Sequence, residues 1–195
     1  MKVIGLCGGS GAGKGTVCDL FKEIGIRSID TDKVYHSMIS TDSECTKELV
    51  SVFGNTIYAH PGIDRAALRE IVFKSQNNLK KLNEITHKHI LSEVREFIKA
   101  SSDCEAVIID APLLFESGFD KECDVTVCVI ADSDVRIARI MKRDNISSDV
   151  ANARISSQIS NDLLVQMCDH SIDNSSTVSA LRKKVYELKN KLFDN

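Results

Sequence analysis

Nine residues near the start of the chain constrain its fold more than any other feature: Gly8-Gly9-Ser10-Gly11-Ala12-Gly13-Lys14-Gly15-Thr16. An apolar, β-branched stretch from Val3 to Leu6 precedes them. After them, Val17, Leu20, Phe21 and Ile24 recur at helical spacing, and Gly25 stands where a helix-ending glycine belongs. Gly8, Gly13 and Lys14 satisfy Gly-x-x-x-x-Gly-Lys between a strand and a helix. Glycines let successive backbone N–H groups turn inward around phosphate oxygens, and the helix N-terminus adds partial positive charge. Gly11, Ala12, Gly13, Lys14, Gly15 and Thr16 are therefore the expected phosphate-holding residues, with Lys14 reaching the β- and γ-phosphates. The motif implies nucleoside triphosphate binding. By itself it does not separate a phosphoryl transferase from a hydrolase.

Further apolar runs lie at Ile26 to Ile29, Val107 to Ile109 and Val125 to Ile130, with a weaker one at His170 to Ile172. They show little alternation, as strands covered on both faces do. Helical patterns separate them: Lys14 to Ile24, Arg65 to Phe73 after an Asp64 cap, Leu79 to Ala100, Val135 to Lys142 after Asp132 or Ser133, and Val178 to Leu192. Strands alternating with helices predict an α/β fold, a P-loop NTPase-type doubly wound parallel sheet of about five strands. The stretch from about 34 to 100 holds no convincing buried strand and reads as a helical insertion beside the sheet. One domain over 1–195 is expected, with a core at about 1–33, 101–135 and 168–195 and a small helical lid at about 136–167.

The formal net charge of −3 and the absence of any Lys/Arg run longer than two argue against nucleic acid as a partner. No stretch approaches the ~20 apolar residues of a membrane span. The opening Met1 to Leu6 reads as a strand and not as a targeting segment. Seven cysteines, an odd number with no Cys-x-x-Cys, read as reduced thiols in a cytoplasmic protein. Cys7, Cys18, Cys45, Cys128 and Cys168 have apolar neighbours and are expected to be small buried hydrophobes. A small-molecule substrate and a monomer or weak homo-oligomer are the matching expectations.

In such sheets ligands collect at the carboxyl ends of the strands. Asp30-Thr31-Asp32 and Asp110-Ala111-Pro112 both fall there. Transfer to a hydroxyl needs a group that orients it and takes its proton, and Asp32 is the candidate, with Asp30 in reserve. Asp30 is better explained as the cap of the helix that follows, the reverse of Asp32. Asp110 ends an apolar run in the manner of a Walker B carboxylate, a place associated with Mg²⁺ or its water shell. Pro112 fixes a turn, and Leu113, Leu114 and Phe115 form an expected apolar wall ending at Glu116. Arg139 and Arg143, four apart on one helix face, are the candidates to close over the transferring phosphoryl group, whereas Arg136 reads as surface. Ser147-Ser148 reads as a fresh helix start leading to Arg154 and Gln158. His87 and His89 point to different faces of one helix, a poor metal pair.

Together these segments resemble the dephospho-CoA kinases, the enzymes that complete coenzyme A synthesis. The resemblance spans Val3 to about Leu192. It rests on the loop, Ile29-Asp30-Thr31-Asp32, Ile63-Asp64-Arg65-Ala66-Ala67-Leu68, Leu82-Asn83-Glu84-Ile85-Thr86-His87, Asp110 to Glu116, Arg139 to Asp144 and Ile172-Asp173-Asn174. It implies transfer of the ATP γ-phosphoryl group to the 3′-hydroxyl of the dephospho-CoA ribose. Asp32 would act on that hydroxyl, Lys14 would hold the phosphoryl group, and Arg139 and Arg143 would belong to the lid. Arg65, His87 and the wall from Leu113 to Glu116 would shape the acceptor pocket.

Two positions depart from the family pattern. Gly15 stands where Ser is usual, so Mg²⁺ is expected to have few or no direct protein ligands, with Asp110 acting through water. Lys88 stands where Pro is common. The Gly-Lys-Gly-Thr form is also that of adenylate-kinase-like enzymes, so the competing reading is a nucleoside monophosphate or other small-metabolite kinase. A GTPase-like switch would need a hydroxyl directly after Lys14 and an Asn/Thr-Lys-x-Asp segment, and the chain has neither.

Overall fold

A computed structural model describes residues 1–193; Asp194 and Asn195, the end of the expected core, lie outside the described residues. In chain order the elements are β1 (Lys2–Cys7), α1 (Lys14–Glu23), β2 (Arg27–Asp30), α2 (Thr31–Ile39), α3 (Glu44–Phe53), β3 (Tyr58–Ala59), β4 (Gly62–Ile63), α4 (Arg65–Phe73) and α5 (Gln76–Lys99). They continue with β5 (Ala106–Asp110), β6 (Val125–Ile130), α6 (Ser133–Asp144), α7 (Ser148–Ser156), α8 (Asn161–Met167), β7 (His170–Asp173) and α9 (Val178–Phe193). The chain divides into two compact units, one of Met1–Ser28 with everything from Ser101 onward, the other of Ile29–Ala100.

The main sheet runs in the order β2-β5-β1-β6-β7, with β1, β5, β6 and β7 wholly in the first unit. β1 is its centre, parallel to β5 from Lys2↔Ala106 to Leu6↔Asp110 and to β6 from Ile4↔Val125 to Cys7↔Cys128. β7 extends it beside β6, also parallel. The order reverses around β1, which opens a crevice at the strands' carboxyl ends, where the glycine loop begins. Along β1 the faces alternate. Ile4 and Leu6 pack with Val17, Leu20 and Phe21 of α1 and Leu181, Val185 and Leu188 of α9. On the other face Gly5 leaves room for Leu114 and Cys123; a Cβ there would lie 2.7 Å from the thiol sulfur. The helix endings follow their local chemistry: Gly25, at φ 86°, closes α1 as its position suggests.

The second unit packs α2, α3, α4 and α5 around Ile39, Cys45, Leu49, Ile57, Ile63, Leu68, Val72 and Ile85. Ser43 accepts from the Thr46 N–H to start α3, and Asp64 accepts from Ala66 and Ala67 to start α4. A small antiparallel hairpin, β3 with β4, was not expected from sequence. Two residues per strand are too few to leave a legible alternation, yet Gly62 and Ile63 are buried.

The cysteines are free thiols, and four of the five expected to be buried are so; Cys168 is half-buried. Backbone approaches closely at Gly62, where a Cβ would stand 2.4 Å from the Ile39 carbonyl and 2.8 Å from the Ser40 Cα. Backbone cannot yield as a flexible side chain can. Gly62→Ala is therefore expected to destabilise the protein by about 1–3 kcal/mol, seen as a lower midpoint in chemical denaturation. An unchanged midpoint would show that this approach is not tight in solution.

Candidate active site

The loop leaves β1 at Cys7 between the carboxyl ends of β5 and β6. Gly8, Gly11 and Gly13 all have positive φ and no room for a side chain. Gly8 has φ 148° and a Cβ there would meet the Val129 carbonyl at 2.4 Å; Gly13 has φ 95° and would meet Asn174 Nδ2 at 2.2 Å. Gly13 caps α1 with no side-chain hydrogen bond, and no acidic residue occupies the first turn. The helix thus presents uncancelled N–H groups and dipole to the loop, a site suited to anionic oxygens. Lys14 opens the helix and its Nζ donates to the Gly8 carbonyl at 3.0 Å, arching over the loop.

Turning N–H groups inward leaves carbonyls pointing outward, and those need donors. Side chains from α6 and from the end of β7 supply them. Asn174 Nδ2 donates to the Ala12 carbonyl at 2.8 Å, and Arg139 donates to the carbonyls of Gly11, Ala12 and Asn174 at 3.0–3.4 Å. Arg136, expected at the surface, is 3% exposed. Its Nε donates to the Ser10 carbonyl at 2.9 Å, Nη2 to Gln158 Oε1 at 2.8 Å and Nη1 to Asn161 Oδ1 at 3.4 Å. The same Gln158 oxygen accepts from the Ser10 N–H at 3.0 Å. Arg136 therefore ties the loop to the segment joining α7 and α8; the solvated-face reading fails because the guanidinium covers Gly9, whose Cβ would collide with it at 2.2 Å. The sequence signal was present, since residues 136, 139 and 143 share one helix face.

Arg143 is held by Asp144 and reaches Ser10 Oγ at 3.4 Å. Arg154 also donates to Asp144, and the two guanidiniums keep that carboxyl well below its usual range. Asp110 is 8% exposed at the end of β5 and receives the Cys18 thiol at 3.8 Å. Burial and then the adjacent Asp110 push that thiol up to about 12, against the pull of nearby Lys14. Cys18 is thus a neutral thiol donor beside a carboxylate, and sequence reasoning gave it only a packing role.

The expected wall after Pro112 is not continuous. Leu114 is buried in the core, while Leu113 and Glu116 are exposed. In the first unit, then, Lys14, Asp110, Arg139 and Arg143 gather around the loop.

Asp32, Arg65 and His87 belong to the second unit. The two acidic residues where β2 passes into α2 differ in use. Asp30 caps α2, accepting from the Lys33 N–H at 3.1 Å and pairing with the Lys33 ammonium at 3.0 Å. Asp32 sits exposed in the first turn of α2 with no hydrogen bond or ion pair among the described residues. Arg65, the first residue of α4, lines an open cleft that includes Tyr35 of α2; His87, on α5, does not line it. Burial lowers the His87 pKa, and the neighbouring Lys88 and His89 both contact Glu48 of α3. Among the described residues no three His, Cys, Asp or Glu side chains converge on a possible metal position.

Comparison with known proteins places this geometry in a lineage. A family model described as CoaE, dephospho-CoA kinase, matches residues 2–180. The dephospho-CoA kinase of Fusobacterium nucleatum is 41% identical over 184 residues, 94% of each chain. A solved structure of TT1252 from Thermus thermophilus superposes with a TM-score of 0.80 at 25% identity, over 98% of this chain and 97% of that one. The dephospho-CoA kinase from Campylobacter jejuni shares the fold, with a TM-score of 0.70 at 24% identity over 97% and 96% of the two chains. The chain belongs to the dephospho-CoA kinase family of P-loop kinases.

Proposed function

We propose that this protein transfers the γ-phosphoryl group of ATP to the 3′-hydroxyl of dephospho-CoA, giving coenzyme A and ADP. The observation that carries the kinase chemistry is the braced glycine loop with Lys14 at the head of an uncapped helix; the family supplies the acceptor. Phosphoryl transfer leaves little covalent work for the protein, so positioning and charge dominate. Lys14 and the first-turn N–H groups hold the β- and γ-oxygens. Arg143, tethered through Asp144, and Arg139, held across the loop carbonyls, supply positive charge as it is needed on the equatorial oxygens. Asp32 orients the acceptor hydroxyl and takes its proton; what supports this is that its carboxylate is exposed and uncommitted while Asp30 does the capping.

Magnesium, when bound, neutralises charge on the β- and γ-phosphates. The residues present fit a metal carried mainly by nucleotide and water, because Gly15 offers no hydroxyl after Lys14. Asp110, at the end of β5, would act on its water shell. A side chain at Gly15 would meet nothing within 4 Å. Gly15→Ser should therefore fold normally and change the Mg²⁺ concentration for half-maximal activity only modestly. A sharp fall in that concentration would mean a missing direct ligand had been limiting.

Lys14→Ala is expected to abolish ADP release with dephospho-CoA while leaving the circular dichroism spectrum unchanged, since the ammonium hydrogen-bonds a loop carbonyl and is not part of the core. Turnover near wild type would show that the loop is not the catalytic phosphate site.

Asp32→Asn keeps size and polarity but loses charge and basicity. It should lower kcat by about 10²-fold or more with the KM for ATP little changed. Asp30→Asn is the control, because Asn caps a helix nearly as well as Asp. Near-normal kcat in Asp32→Asn would move the search for the base to Asp110.

A further inference from the structure

Arg136 is 3% exposed, and its guanidinium donates only to neutral oxygens: the Ser10 carbonyl, Gln158 Oε1 and Asn161 Oδ1. Asp132 and Asp134 stand at the start of the same helix, yet among the described residues no carboxylate pairs with it. Arg143, on the same face, is paired with Asp144. Burial lowers the Arg136 pKa with no carboxylate acting against it, but a guanidinium keeps its proton. Neutral acceptors satisfy its hydrogen bonds and leave the charge uncancelled. An arginine buried in that state is rare, because a desolvated charge without a counter-charge is costly. The charge lies directly behind the phosphate loop. A Cβ at Gly9 would stand 2.2 Å from Arg136 Nη2 and 2.9 Å from its Cζ, and one at Gly11 would stand 2.7 Å from the Arg136 carbonyl. The Ser10 carbonyl that accepts from Nε shares its peptide unit with the Gly11 N–H. Donation from a cation polarises that N–H toward an anion in the loop.

We infer that Arg136 is a positioning residue whose missing counter-charge is the nucleotide's phosphate chain: the protein holds an unpaired cation behind the loop, and the bound phosphates complete the pair through it. This role rests on the reading of the loop as the nucleotide site. It differs from that of Lys14, because Arg136 touches loop and lid segments and acts through them. Two consequences set it apart from a mere brace. Its contribution to binding grows with the charge of the ligand, since a buried charge is poorly screened. Arg136 therefore favours ATP over ADP beyond what loop shape alone would do. The same charge also weakens the empty protein, so a carboxylate brought to it should stabilise the fold and weaken nucleotide binding together. A residue that only held the loop in shape would affect ATP and ADP alike, and a firmer tie at that point would not weaken either.

The test is calorimetric binding of ATP and of ADP in Mg²⁺-free buffer, where ATP carries the greater charge, together with thermal melting of the empty protein. Arg136→Gln keeps a donor for the Ser10 carbonyl and removes the charge. It should weaken ATP about tenfold or more and ADP only about threefold. Arg136→Lys keeps the charge and loses the planar fork, and should hold both ligands within about threefold of wild type. Gln158→Glu retains the acceptor oxygen that meets Arg136 and the Ser10 N–H and brings a carboxylate to the guanidinium. It should raise the melting temperature of the empty protein and weaken ATP more than ADP, and it decides the question alone if Arg136→Gln does not fold. Equal losses of ATP and ADP in Arg136→Gln would overturn the inference and leave Arg136 a brace. So would a Gln158→Glu protein that melts higher and binds ATP as the wild type does. Failure of the wild type to bind ATP would overturn the reading of the loop as well.

Discussion

The Ala12 carbonyl accepts from Asn174 and Arg139, and the Ser10 carbonyl from Arg136. A loop this rich in glycine has almost no side chains with which to hold itself. If its N–H groups face a ligand, its carbonyls face protein, and each must find a donor or carry an unpaired polar group. The fold answers with α6, which starts right after β6, and with the turn after β7. That is a consequence of sheet order: β6 lies beside β1 and β7 beside β6, so the ends of both strands stand next to the loop. The same helix that braces the loop carries Arg139 and Arg143. The charge expected to act on the transferring group is therefore positioned by the same contacts that shape the phosphate cradle.

A second constraint separates two similar carboxylates. Asp30 and Asp32 lie two residues apart at the start of α2, and a helix N-terminus needs one cap. Asp30 meets that need, and its ion pair with Lys33 fixes it further. Asp32 is thereby released from structural duty. On the other strand end, Asp110 is buried and shares the Cys18 thiol, a setting unlike that of the exposed Asp32. The roles proposed for them differ in the same sense: a fixed place for Asp110 and an exchanging acceptor for Asp32.

Much of this was legible in the residues. The glycine loop, the five strands of the sheet, the long helix α5 and the Asp64 cap all announce themselves by periodicity or turn chemistry, because each is a local matter. What stayed hidden depended on distance in sequence. Arg136 looks like any basic residue on a polar helix until Ser10, Gln158 and Asn161 arrive from elsewhere to bury it. Its place on the face of Arg139 and Arg143 was a signal, but burial of an arginine is rare enough to argue against using it. Leu114 read as one residue of a wall, whereas the space left by Gly5 draws it into the core. The hairpin of β3 and β4 was too short to register. The exposed Phe73, five residues beyond the matched motif around Arg65, had nothing in its local pattern to distinguish it from a core residue.

The account stands most directly on the identity of the acceptor. ADP release by the wild-type protein should be followed with ATP and Mg²⁺ against dephospho-CoA, AMP, CMP and shikimate, and compared as kcat/KM. Dephospho-CoA should exceed the others by at least about 10²-fold. Turnover with AMP or CMP and none with dephospho-CoA would contradict it.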